Sequence, residues 1–135
     1  MYLVDTNIVS ETRKARPHGG VMAFLREAGD RNLYISAVTL GEIQAGIEIT
    51  RAQDPAKAEE IEAWADQIAA VWNILPMDAA TFRVWAKLMH RSSNTVSEDA
   101  MIAATAIVHG LRVVTRNVGD FKAFGVEVLN PYPAR

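Results

Sequence analysis

The protein is a chain of 135 residues, of which 50% are hydrophobic and 22% are charged, and it contains no cysteine. This length and composition predict a single globular domain over residues 1–135 and exclude a disulfide framework, thiol catalysis and cysteine-based metal sites. The formal net charge of -2 differs from the strongly basic balance of a free-standing nucleic-acid-binding protein, although clustered metal-binding acids would also lower it.

Short apolar runs alternate with helical patterns along the chain. Strands are predicted over residues 2–4, 33–35, 74–76, 113–114 and 126–129. Helices are predicted from residue 7, over 21–27, after Ser36, from Pro55, after Asp78 and over 98–108. We expect Pro17, Gly19 and Gly20 to break the chain, residues 91–95 to form a polar loop, Ser97 to cap the 98–108 helix and Gly110 to end it. The 98–108 helix is apolar nearly all round, which indicates a buried element.

The alternation of strands and helices predicts an α/β fold. Parallel strands joined by right-handed helical crossovers form a sheet that is covered by helices on both faces, which gives a three-layer α/β/α domain with roughly five strands. Pro76 places its strand at an edge, or the proline itself at a strand end. The ligand crevice of such a sheet lies beyond the carboxyl ends of the strands, so polar residues that follow the strands are the candidate functional residues.

Four carboxylates fall in or near this predicted crevice, namely Asp5 after the first strand, Glu42 in the helix after the second, Asp99 at the start of the apolar helix, and Asp120. Each has an alternative structural role. Asp5 and Asp120 fit a cap or a turn, Glu42 fits a solvated helix face, and Asp99 fits a favourable interaction with the helix dipole, which Glu98 could also supply. Together they predict a cation site, because ionised carboxylates that share a crevice repel one another.

The ligand chemistry of this predicted site favours phosphodiester hydrolysis. Oxygen ligands suit Mg²⁺ or Mn²⁺, and a metal held by acids at the mouth of a parallel sheet fits that reaction. The chain contains no GxSxG, GxxxxGK(S/T) or GxGxxG motif for serine hydrolysis or nucleotide binding. A phosphatase of the haloacid-dehalogenase type also has an aspartate after its first strand, but it requires a second acid where this chain has Asn7.

Four blocks of the sequence resemble the PIN-domain ribonucleases, and more closely the VapC toxins of bacterial toxin–antitoxin pairs in their FitB-like branch. The blocks are residues 3–7 (LVDTN), 35–42 (ISAVTLGE), 99–106 (DAMIAATA) and 114–121 (VTRNVGDF), which occur in the family's order. The resemblance covers essentially the whole chain. It implies a five-stranded parallel sheet between helices and a Mg²⁺- or Mn²⁺-dependent endoribonuclease, for which we expect a metal-activated water as the attacking group.

The resemblance also implies roles for individual residues. In the family, acids hold the metal, and polar residues at one strand end position water or a metal-bound acid. The matching positions are Asp5, Glu42, Asp99 and Asp120 for the acids, the last more variable in its role, and Thr115 and Asn117 for the polar residues. Ser97-Glu98 stands where relatives often carry a proline or an apolar residue, so Glu98 either adds a fifth acid or faces solvent.

The partners implied by the resemblance are an RNA substrate, a cognate antitoxin encoded beside the toxin, and a second copy of the chain in a homodimer. DNA is expected only indirectly, through the antitoxin, since no predicted helix is basic enough to read a groove unaided. The alternative is a non-catalytic PIN scaffold that binds RNA or a partner protein. Loss of one acid would be typical of such a scaffold, and all four acids are present.

The basic residues near the predicted crevice leave two interpretations open. Arg13, Lys14 and Arg16, in the loop that follows Asp5, either contact substrate phosphates or form a solvated loop. Arg116 lies close to the site and could pair with Asp120 instead. A net-acidic nuclease with only local basic contacts should bind RNA weakly and with a steep dependence on salt.

The remaining aromatic residues and the apolar stretches indicate ordinary structural roles. The predicted core residues include the tryptophans Trp64, Trp72 and Trp85, with a dimer or antitoxin interface as the alternative for the first. No paired ligand spacing connects the histidines His18, His90 and His109. The N-terminus lacks the features of a signal peptide, and no segment is apolar over a bilayer-spanning length, so we expect a cytoplasmic protein without membrane contact.

Overall fold

A sheet of parallel strands forms the centre of the molecule. The computed structural model describes residues 1–91 and 97–132. Its strands are β1 (Tyr2–Val4), β2 (Leu33–Ser36), β3 (Asn73–Leu75), β4 (Arg112–Val114) and β5 (Val128–Leu129). They lie in the order β3-β2-β1-β4-β5 with every neighbouring pair parallel, so the first strand is central and β3 is an edge strand. The predicted five-stranded parallel sheet is confirmed.

Helices connect the strands. They are α1 (Thr6–Glu11), α2 (Gly19–Ala28), α3 (Ala37–Gln53), α4 (Pro55–Val71), α5 (Ala79–Arg91), α6 (Ser97–His109) and α7 (Val118–Lys122). Helices α1 to α5 begin at capping side chains. The Ser36 hydroxyl accepts a hydrogen bond from the Val38 N–H at 3.1 Å, and Asp78 accepts one from the Thr81 N–H at 3.0 Å. Gly110 has a φ of +66°, the left-handed conformation that commonly ends a helix. The chain as described contains no helix long and apolar enough to cross a bilayer.

The core lies on both faces of the sheet. Because successive side chains of a strand point to opposite faces, Leu3 and Val113 face one layer of helices, and Val4 and Val114 face the other. The Leu3 side packs against α5, α6 and α7, and the Val4 side packs against α1 to α4. Six side chains of α6 are buried, which confirms the prediction of a buried helix. The sheet therefore lies between two helical layers, as the alternation of elements predicted.

Some predicted boundaries were wrong. Gly19 and Gly20 do not break the chain but open α2, because the His18 ring nitrogen Nδ1 accepts hydrogen bonds from the Gly20 and Val21 N–H groups at 3.1 and 3.4 Å. A Cβ atom on Gly20 would lie 2.5 Å from the Pro131 carbonyl oxygen, so this glycine permits close approach of the C-terminal segment. Helix α6 includes Ser97, which was predicted to precede it. The predicted 91–95 loop lies outside the described residues except for Arg91, which ends α5.

Candidate active site

Asp5 lies at the carboxyl end of the central strand, where β1 passes into α1. Its Oδ1 accepts a hydrogen bond from the Thr6 N–H at 2.7 Å, so it is the N-cap of α1. Its Oδ2 accepts from the Thr115 hydroxyl at 2.7 Å and from the Asn7 side-chain amide at 3.2 Å. Burial raises the pKa of Asp5, and these three donors oppose that rise. Asp5 therefore caps α1 and still lies at the candidate site, so the structural role and the functional role predicted for it are compatible.

Glu42 is connected to Asp5 through Thr6. The Thr6 hydroxyl donates to Glu42 Oε1 at 2.6 Å and lies 3.0 Å from the hydroxyl oxygen of Thr39, one turn earlier on α3. Glu42 is partly buried, so it does not lie on a fully solvated helix face. Burial raises its pKa, the charges of Asp5 and Glu98 raise it further, and the hydrogen bond from Thr6 lowers it.

Asp99 lies in the first turn of α6 and is surrounded by like charges. Its pKa is raised to about 6, first by burial and then by the charges of Asp5, Glu42, Asp120 and Glu98. Within the described residues, no donor group forms a hydrogen bond with its side chain. These acids therefore lie close enough for their charges to act on one another. This agrees with the prediction that residues following the parallel strands meet at one edge of the sheet. A carboxylate in this environment is stabilised by a cation.

The remaining candidate site residues around this cluster are either buried, as Thr115 is, or exposed, as Asn117, Asp120 and Glu98 are. Thr115 is fully buried, donates to Asp5 and accepts from the Asn117 N–H at 3.0 Å, so it fixes the orientation of Asp5. The Asn117 side chain is exposed and forms no capping hydrogen bond with α7. Asp120 and Glu98 are also exposed, and the negative charge of each raises the pKa of Asp99. Glu98 thus faces solvent and still acts electrostatically on the cluster.

The donor set fits a hard divalent cation that keeps part of its water shell. Within residues 1–91 and 97–132, no group of three acids or histidines lies close enough together to hold a metal ion on its own. Mg²⁺ is commonly bound through one or two carboxylates while retaining several waters, so an open arrangement of acids is the expected one. Asp5, Glu42 and Asp99 are the residues that could hold such an ion, with Asp120 at the rim. The repulsion at Asp99 is the observation that favours a cation there.

A groove beside the carboxylate cluster lies between α1, α3 and α4. It has a volume of about 240 Å³ and begins at Thr6 and Glu42. Its walls include Gly46, Arg13 and Trp64. The Trp64 ring packs against the core, and its indole N–H donates to the Thr12 hydroxyl at 3.1 Å, so the predicted core role holds while one side of the ring lines the groove.

Sequence reasoning missed a second buried acid, Glu11, at the end of α1. Its carboxylate accepts from the Lys14 ammonium at 2.8 Å, the His18 N–H at 2.9 Å and the Tyr132 hydroxyl at 2.9 Å. These partners, Lys14 foremost, lower the pKa of Glu11 to about 2. The Glu11–Lys14 spacing of three residues was the available sequence signal. Lys14 is therefore paired with an acid. For Arg13 and Arg16, contact with substrate phosphates and a solvated loop both remain as interpretations.

Arg116 does not pair with Asp120 in the described part of the chain. Its guanidinium carbon lies 3.9 Å from the centre of the Tyr132 ring. Tyr132, which sequence reasoning also missed, is buried. The alternative of an Arg116–Asp120 ion pair was wrong, because the aromatic ring supplies the partner and Asp120 projects from a different element, α7.

Known proteins share this fold and the full length of the chain. The model of the PIN domain family matches residues 2–126. The chain is 32% identical to the VapC ribonuclease Y4jK of Sinorhizobium fredii, over 98% of this chain and 98% of that protein. It is 32% identical to the toxin FitB of Neisseria gonorrhoeae, over 98% of this chain and 99% of that protein. A solved structure of FitAB bound to a DNA fragment matches 100% of this chain and 98% of the other chain, with a TM-score of 0.86 and 30% identity. The chain therefore belongs to the PIN domain family.

Proposed function

We propose that this protein is a metal-dependent endoribonuclease that acts as the toxin of a toxin–antitoxin pair. The observation that carries the proposal is the group of mutually repelling carboxylates around Asp99, at the carboxyl end of a parallel sheet. Full-length similarity to a VapC ribonuclease and to a FitB toxin supports RNA as the substrate and toxicity as the biological role. The chain retains all four acids, which favours an enzyme over a non-catalytic scaffold.

The residues of the site divide into acids that hold the metal and groups that orient those acids. Asp5, Glu42 and Asp99 would bind Mg²⁺ or Mn²⁺, with Asp120 as a peripheral acid. Such an ion lowers the pKa of a water and neutralises charge on the scissile phosphate. The Thr115 hydroxyl holds one Asp5 oxygen, and the Thr6 hydroxyl holds Glu42. We propose that the exposed Asn117 side chain positions water beside Asp5.

The proposed partners follow from the relatives. We expect a cognate antitoxin to bind this chain, because a structural relative was solved as FitAB on a DNA fragment. Contact with DNA would then come through the antitoxin, in line with the net charge of -2. We further expect a homodimer.

The test is RNA cleavage by antitoxin-free protein in Mg²⁺, Mn²⁺ or EDTA, with Asp5→Asn beside the parent. Removal of one charged metal ligand should lower the cleavage rate by at least about 100-fold, since each 1.4 kcal/mol of lost transition-state stabilisation is about tenfold. Asp66→Asn is the matched control, because Asp66 is an exposed acid on α4, and it should cleave like the parent.

Two outcomes would contradict the proposal. One is an Asp5→Asn preparation, free of contaminating nuclease, that cleaves at the rate of the parent. The other is folded parent protein that leaves total cellular RNA intact in every metal while still binding it, which would favour the scaffold instead.

A further inference from the structure

Arg116 is placed at the edge of the carboxylate cluster by the residue before it. Thr115 binds Asp5 through its hydroxyl, so the backbone of Arg116 follows a group that contacts the proposed metal-binding acid. The Arg116 side chain is exposed and makes no ion pair in the described part of the chain. The charges of Arg116 and Asp5 both act on Tyr132, so this cation lies in the neighbourhood of the acids, which would otherwise repel an RNA phosphate.

The Tyr132 ring holds the Arg116 side chain in place. The guanidinium carbon lies 3.9 Å from the ring centre, which is close stacking for a cation on an aromatic face. The ring is itself fixed, because its hydroxyl donates to Glu11 at 2.9 Å and the His18 ring packs on it at 4.9 Å between centres. Burial, and after it the hydrogen bond to Glu11, raise the pKa of Tyr132 to about 12, so the hydroxyl stays protonated and remains a donor.

Stacking leaves the hydrogen-bonding edge of the guanidinium free. The donors of arginine lie in the plane of the group, and an aromatic partner contacts its face. An arginine held in this way has lost side-chain freedom but none of its donors, which suits bidentate binding of a phosphate. An arginine fixed by a carboxylate would have those donors occupied.

We propose that Arg116 binds a backbone phosphate of the RNA substrate beside the carboxylate cluster, and that Tyr132 is the positioning residue that holds it there. This inference rests on the proposed function, since it takes RNA as the substrate. The C-terminal segment, in which Tyr132 contacts both Glu11 and Arg116, would then serve to hold one cation at the rim of an acidic site.

The sequence offers a matched control at the opposite end of the same strand. Arg112, at the start of β4, lies 5.6 Å from the centre of the Tyr2 ring and 3.7 Å from Glu127. It has the same chemistry and a similar aromatic partner, but it lies at the amino end of the sheet, away from the carboxylates. Arg112→Ala should therefore leave RNA cleavage and RNA binding unchanged.

The experiment measures kcat, KM and their salt dependence for Arg116→Ala, Tyr132→Leu and Tyr132→Phe. Loss of one phosphate contact should raise KM by about tenfold in Arg116→Ala and reduce the salt slope of binding by about 1. Tyr132→Leu should raise KM in the parent and have no further effect in the Arg116→Ala background. Tyr132→Phe keeps the ring and its packing against His18, so its KM should stay closer to the parental value than that of Tyr132→Leu, although the lost hydrogen bond to Glu11 lowers the melting temperature.

A second measurement keeps this inference independent of cleavage. Binding of fluorescein-labelled RNA of mixed sequence is measured in the Asp5→Asn background in EDTA, where Arg116→Ala should weaken affinity by about tenfold. If the parent fails to cleave but Arg116→Ala weakens binding, the proposed function is wrong and the phosphate site stands. If folded Arg116→Ala matches its parent in affinity, KM and salt slope, or if no variant binds RNA, the inference is overturned.

Discussion

Two acidic regions of this molecule differ in what surrounds them. Glu11 is buried among donors, with Lys14, the His18 N–H and the Tyr132 hydroxyl on its oxygens, and its pKa lies near 2. Asp99 has other acids as neighbours, and its pKa lies near 6. Burial occurs in both regions and does not distinguish them. The sign of the surrounding charge does, because a carboxylate among donors is already stabilised in its charged form, while one among acids is stabilised by a proton or by a cation.

The largest expected effect comes from removing the charge of Asp99. Asp99→Asn should lower metal-dependent RNA cleavage by at least about 100-fold, because a proposed metal ligand is lost. It should also keep or raise the melting temperature in EDTA, because the repulsion from neighbouring acids is relieved. Cleavage assays with Mg²⁺ and thermal unfolding in EDTA check both parts. A variant that melts well below the parent and still cleaves RNA would show that Asp99, like Glu11, stabilises the fold and does not hold a metal.

The next effect is on stability and distinguishes the two acids by pH. Glu11→Gln should lower the free energy of unfolding by about 2 kcal/mol at neutral pH, the order expected for hydrogen bonds to a buried charge. The folded-state pKa of Glu11 is lowered from 4.5 to about 2, so its stabilisation is complete above pH 4.5 and is lost as the pH falls towards 2. Denaturant unfolding of parent and variant should therefore converge as the solution is acidified across that window.

Asp99 should show the opposite pH dependence in metal-free buffer. Its folded-state pKa is raised from 3.8 to about 6, so stability is highest below pH 3.8 and declines as the pH rises through 6. Asp99→Asn should remove that decline from the melting curves, and added Mg²⁺ should reverse it in the parent. If the stability of the parent in EDTA does not change between pH 3.8 and pH 6, Asp99 is not destabilised by its neighbouring acids, and the proposed difference between Asp99 and Glu11 is wrong.

The smallest expected effect tests Thr115, which contacts neither Glu11 nor Asp99 but orients Asp5, another acid of the carboxylate cluster. Thr115→Val keeps the side-chain shape and removes the hydroxyl that donates to Asp5 and accepts from the Asn117 N–H. We expect a loss of about 1 kcal/mol in unfolding free energy and about a tenfold loss in cleavage. Thr105→Val is the matched control, because Thr105 is also fully buried but donates to the Met101 carbonyl within α6. That control should retain full cleavage.

The parts of the fold that depend on local pattern could be predicted from the sequence. The apolar strands, the caps at Ser36 and Asp78, the buried character of α6 and the α/β architecture all follow from periodicity and residue type. The carboxylates could be placed near one another because the carboxyl ends of parallel strands share an edge.

The parts that depend on distant contacts could not be predicted in this way. Nothing near Glu11 in the sequence indicates Tyr132, which lies 121 residues away. The same ring contacts the guanidinium of Arg116, and the carbonyl of Pro131 lies where a Cβ atom on residue 20 would be, which requires a glycine at that position. In each case the partner is supplied by the C-terminal segment, whose path no local pattern specifies.

The hydrogen bond between Thr115 and Asp5 joins residues that are 110 positions apart. A nascent chain on the ribosome carries Asp5 and Glu42 long before it carries the α6 and β4 residues that complete the site. The central strand must also wait for β4 before it has its second neighbour. The carboxylate cluster therefore cannot take this arrangement until β4 and the residue after it have been synthesised, because Asp5 lacks its Thr115 partner before then.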